Sequence, residues 1–90
     1  MLDEIKLSMR ISHTSLDTDI QRNIETCLLD LKRVGVDISE ESNLLIKACE
    51  LYCKWQYDYQ GKGIQFENNY NALRDSLSMS GDYREVDNDV

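Results

Sequence analysis

The run LLIKACELYCKWQYDY, residues 44 to 59, leaves a helix only one narrow strip facing water. Its polar residues, Asn43, Lys47, Glu50, Lys54 and Asp58, recur at steps of four, three, four and four, which on an α-helix is a single thin seam. The other directions present apolar or aromatic side chains, more than a monomer of this size can readily cover, which points to neighbours beyond its own chain. A polypeptide of 90 residues has room for one modest core, and this helix is its axis.

The remaining elements read as helices that cover it. Residues 1 to 10 carry Leu2, Ile5 and Met9 on one side, with Asp3 and Glu4 in the first turn, where carboxylates complement the helix dipole. From Leu16 the apolar residues Ile20, Ile24, Cys27, Leu28, Leu31 and Val34 follow at three- and four-residue steps, and Gly35 stands where a left-handed C-terminal residue is wanted. Thr14 is the expected N-cap of this second helix, with Asp17 three positions on. Ser39 or Ser42 caps the third. Gly61-Lys62-Gly63 breaks it, and Phe66, Tyr70, Leu73 and Leu77 mark a fourth helix that ends before Gly81. No alternating strand pattern of useful length occurs. The expected fold is all-α: a small bundle of about four helices with a long central third helix, a domain over residues 1–80, and a flexible acidic tail over 81–90, whose sequence GDYREVDNDV has little to bury.

Charge narrows the functional classes. Ten basic against seventeen acidic residues give a net charge of −7, which opposes adsorption to phosphate backbones and to anionic membranes. The start, MLDEIKLSMR, has neither the charge nor the apolar run of a secretory signal or transit peptide, and no segment is apolar enough to span a bilayer, so a soluble intracellular protein is expected. Three cysteines, an odd number at helical apolar positions, fit a reducing compartment better than a disulfide framework.

Residues able to do chemistry do not combine into a site. Cys49 and Cys53 share a helical face, but a structural zinc needs four ligands and only Cys27, the single His13 and scattered carboxylates remain. No metal ligand, cofactor or catalytic residue is expected, and the cysteines are taken as small core residues. His13 lies in a polar loop with no residue to orient it, and Gly61-Lys62-Gly63 lacks the spacing of a phosphate loop. Trp55, Tyr57, Tyr59, Ile64 and Phe66 are more apolar bulk than one end of so small a core can bury. Lys54 and Lys62 beside them are offset by Asp58 and Glu67, so nucleic acid is not their partner. These five residues form the candidate protein interface.

The order of segments supplies a resemblance. The opening LDEIKLSMRISH, the helix LDTDIQRNIETCLLDLKRVGV, the core LIKACELYCKWQYDY and the closing helix FENNYNALRDSLSMS resemble the small head-tail connector, or head-completion, proteins of tailed phages and prophages over about residues 1 to 80. The resemblance implies a structural, non-enzymatic subunit that forms a homo-oligomeric ring beneath the portal protein. It would sit in the virion neck, in the host cytoplasm during assembly, extend the channel through which DNA passes without specific binding, and offer a docking surface to the next neck or tail protein. An acidic ring would repel phosphate rather than hold it. The other reading is a small acidic helical adaptor or regulator that binds one cellular protein through the aromatic end of the third helix.

Overall fold

The computed structural model describes residues 1–83. The chain forms α1 (Leu2–Ser8), α2 (Asp17–Arg33), α3 (Asn43–Gln56), a short 3-10 turn (Tyr59–Gly61) and α4 (Gly63–Met79). Among the described residues every regular element is helical, as the spacing predicts. No helix is long and apolar enough to cross a membrane.

The third helix is the axis: α1, α2 and α4 all pack on it. The Met1 ammonium approaches Glu41 at 3.5 Å while Ser8 Oγ donates to Glu50, so α1 runs parallel to α3. Tyr57, just past the end of α3, donates its hydroxyl to Asp19 at the start of α2, so α2 runs antiparallel. Tyr70 of α4 lies beside Tyr52 and Trp55, and Phe66 beside Tyr59, which makes α3 and α4 an antiparallel hairpin. The core is the sum of the facing stripes. It takes Ile5 and Met9 from α1, Ile20, Ile24, Cys27 and Leu31 from α2, the buried side of α3 from Leu45 to Cys53, and Tyr70 and Leu77 from α4. Each fully buried aliphatic side chain contributes about 1.5–3 kcal/mol by leaving water.

The helix ends follow local chemistry in some places and tertiary contacts in others. Ser42 is the cap of α3, its Oγ accepting the Leu45 N–H at 3.3 Å, while Ser39 instead donates its backbone N–H to Asp37 Oδ1 at 2.9 Å. Gly35 adopts φ +89°, the left-handed conformation expected after α2. Thr14 is not the cap of α2. The helix begins at Asp17 with Leu16 at the N-cap position, and Thr14 uses its carbonyl to accept the Asp17 N–H at 3.1 Å. The Asp17 carboxylate, where the sequence suggests a capping acid, is drawn to Lys6 of α1 at 2.6 Å.

A further expectation is corrected. The polar seam of α3 is not wet along its length. Glu50 and Lys54 keep only 18% and 14% of their side-chain surface exposed, because they bond each other at 2.9 Å and Ser8 covers Glu50. Past the end of α4 the chain is described as far as Tyr83. Tyr83 packs against the core, and its carbonyl accepts the Asp37 N–H at 2.6 Å, so chain contacts continue three residues past the expected boundary at 80. The rest of the expected tail, 84–90, lies outside the described residues.

Candidate functional site

The aromatic end of α3 is built on one helical stripe that continues across the turn into α4. Tyr52 and Trp55 meet edge to face with centroids 5.4 Å apart, and Tyr70 completes the group at 5.3 Å from Tyr52 and 6.1 Å from Trp55. A second pair, Tyr59 and Phe66, sits 6.3 Å apart on either side of the turn. The Lys54 ammonium lies 5.3 Å and 5.6 Å from their ring centroids, a cation–π contact that occupies the lysine as fully as its bond to Glu50.

The turn that brings α4 back is conformationally demanding. Asp58 and Gln60 both have positive φ, 46° and 55°, and Gly61 follows at 71°. Non-glycine residues held in this region cost of the order of 1 kcal/mol or more each, so the surroundings must enforce them. Asp58 Oδ1 does so by accepting the Gly63 N–H at 2.7 Å, which ties the turn to the first residue of α4.

Behind the aromatics runs a polar chain. Cys27 Sγ lies 3.8 Å from the Tyr70 hydroxyl, which donates to Asp30 Oδ2 at 2.7 Å. Asp30 also takes Arg33 at 2.7 Å and Arg74 at 3.5 Å. Partial burial works against the Asp30 charge, but the hydrogen bonds from Arg33 and Tyr70 and the charges of Arg33 and Arg74 outweigh it and hold the carboxyl below its ordinary range. Burial, with Cys27 and Asp30 alongside, raises the Tyr70 phenol well above its ordinary value. Burial and the Asp19 carboxylate push Tyr57 up to about 12.

The three cysteines are free and fully buried. The hydrogen bond with Cys27, together with burial, raises the Cys49 thiol far above its ordinary value, and burial pushes Cys53 up to about 12. Thiols held protonated in this way are core residues, as their helical positions suggest. Among the described residues no group of three or more His, Cys, Asp and Glu is disposed to hold a metal.

The five candidate interface residues do not stand equally. Trp55, Tyr57, Tyr59 and Phe66 are half-buried and each has an intramolecular partner, whereas Ile64 is 77% exposed. Sequence reasoning does not single out other large apolar side chains that the fold leaves in water: Leu7 at 80%, Leu29 at 65% and Met79 at 81%. A signal for Leu29 and Met79 does exist, since each stands opposite the buried stripe of its own helix.

Comparison with curated proteins and with solved structures gives no match. A profile of the family described as phage connector protein matches residues 1–84. The matched stretch contains all four helices, the strained turn and Tyr83, and it agrees with the resemblance carried by the opening, the α3 core and the closing tyrosine and leucine helix. The chain therefore belongs to the phage connector family, and its role is a structural one at the junction of phage head and tail.

Proposed function

We propose that this chain is a head-tail connector subunit that assembles as a ring beneath the portal, lengthens the DNA channel and presents the next neck or tail protein with a docking surface. The observation that carries this reading is the family match across every helix of the domain. Charge supports it: at −7 per subunit, a closed ring would line or flank a channel with negative potential, so DNA would pass without being held. The role needs no cofactor and no turnover. The docking surface is the turn from Trp55 to Phe66, at whose end Ile64 stands 77% exposed in the first turn of α4.

Sedimentation velocity at rising protein concentration, alone and with the cognate portal protein, tests the ring. A single high-order species that grows at the expense of monomer is expected. Because each subunit carries the same net charge, that species should become more abundant as salt is raised. A chain that stays monomeric at all concentrations, with and without the portal, would overturn the reading and leave an adaptor that binds one partner.

A further inference from the structure

The outward face of α4 is unlike the rest of this acidic protein. Its core stripe is Phe66, Tyr70, Leu73 and Leu77, and directly opposite runs a second stripe, Ile64, Asn68, Ala72, Asp75 and Met79, at helical steps of four, four, three and four. All five are exposed, and the flanking exposed residues, Gln65, Asn69 and Ser76, are neutral. Over 17 residues this face therefore shows one charge, Asp75, and that one is paired with Arg74 at 3.3 Å. In a chain of which 30% of residues are charged, so neutral a helix face, with Ile64 at 77% and Met79 at 81% exposure near its two ends, has the composition of an interface centre. Subunits that each carry −7 meet at least electrostatic cost along such a face.

A second helix offers the counterpart. On α2, also 17 residues long, Leu29 points directly away from the buried Ile20, Ile24, Cys27 and Leu31 and is 65% exposed. The exposed charged residues around it are Arg22, Glu25, Lys32 and Arg33; with Arg33 paired to Asp30 at 2.7 Å, Arg22 and Lys32 stand against Glu25, so this face is mildly basic on an acidic molecule. A shallow groove of about 370 Å³, lined by Asp17, Thr18, Gln21, Arg22 and Glu25, lies on the same helix toward its N-terminus. A closed ring requires a heterologous contact, in which one patch of a subunit meets a different patch of the next.

We infer that the neutral outer face of α4 from Asn68 to Met79 in one subunit docks on the Leu29 face of α2 in the next copy of this chain. Ala72 and Met79 supply close apolar contact and Asp75 faces the basic rim of α2. The inference rests on the ring reading and adds the two surfaces that would close it.

Two variants at exposed sites test it, Ala72→Glu and Leu29→Glu, each first checked for an unchanged helical circular-dichroism spectrum and melting temperature. Under conditions where the wild-type chain assembles, each variant alone is expected to be monomeric, with association weakened by about 30-fold or more, the effect of losing a hot-spot contact. Mixed in equal amounts, they should form dimers and nothing larger, because one subunit keeps only the α2 face and the other only the α4 face. Assembly of either single variant at wild-type concentrations overturns the proposed contact while leaving the ring reading intact. A wild-type chain that never assembles overturns the ring reading and this contact with it. Higher oligomers in the mixture would show that other surfaces join the subunits and would equally overturn it.

Discussion

Asp58 Oδ1 accepts the backbone N–H of Gly63 at 2.7 Å, and the same oxygen lies 2.7 Å from the point where a Cβ on residue 63 would stand. The hydrogen bond that holds the α3–α4 turn closed thus occupies the space that any side chain at 63 would need. The Asp58 Cα is also tight at 3.3 Å and the Trp55 carbonyl oxygen is in contact at 3.4 Å, so making room requires the Asp58 carboxylate to rotate away and give up the bond that closes the turn. Gly63→Ala should cost about 1–3 kcal/mol, the usual penalty for overpacking, although Ala is the better helix former. Thermal unfolding measures it, and a variant as stable as wild type would show that the turn relaxes freely.

Asp30 predicts the acid side of the stability curve. A carboxyl whose folded pKa is depressed contributes stability that is fully present above its unfolded value, about 3.9, and is lost as pH falls through the folded value. Glu50 shares the direction: burial opposes its charge, but Ser8 and Lys54 more than offset that. Stability should therefore hold down to about pH 5 and fall progressively below about pH 4. In Asp30→Asn the fall should be shallower, from a lower plateau at neutral pH. Urea unfolding across that range measures both, and an unchanged slope would mean that Asp30 contributes equally to both states.

The cysteines should be silent in the native protein. With Cys53 pushed up to about 12 and Cys49 higher still, neither of these two carries appreciable thiolate at about pH 8, and all three sulfurs are fully buried. Dithionitrobenzoate should label none of them promptly in buffer and all three in denaturing guanidinium. Fast labelling of one thiol in buffer would reveal local opening of the α2–α3 seam. Replacing Cys49 by Ala should cost only about 1–2 kcal/mol, the loss of one small buried group.

Truncation after Ser80 removes Tyr83, which packs on the core and accepts the Asp37 N–H through its carbonyl. The loss should be about 1 kcal/mol, or a fall of roughly 4–8 °C in melting temperature for a domain of this size. The point change Tyr83→Ala, which removes the ring but keeps the carbonyl, separates the two contacts and should lower the melting temperature less. Equal melting temperatures for the full and truncated chains would show that the Tyr83 contact adds nothing.

What is legible in the sequence is whatever depends on spacing alone. The stripe Ile20, Ile24, Cys27 and Leu31 predicts α2, Gly35 predicts its end, and the crowded apolar positions of α3 predict a helix with neighbours on several sides. The features that are not legible depend on contacts between distant residues. Thr14 is a good capping residue, yet the Asp17–Lys6 ion pair and the α1 packing set where α2 begins. Glu50 reads as seam and is covered by Ser8, forty-two residues away. Trp55, Tyr57, Tyr59 and Phe66 read as surplus aromatics, but pairing among themselves and with Lys54, Tyr70 and Asp19 absorbs most of their surface. Of the five candidate interface residues, Ile64 alone is left fully in water, and the feature that distinguishes its helix face is missing charge, which a search for hydrophobic patterns passes over.

The central position of α3 also orders the route by which the molecule is made. Its partner α4 follows after a short turn, so bringing those two together closes a small loop at small entropic cost. By contrast, α1 precedes the other helices but touches α3 through residues some forty positions away, and at seven residues it is too short to hold a helix unaided. It therefore has to wait for the α3–α4 hairpin and α2 to form the surface on which it lies, although it precedes all three in the chain.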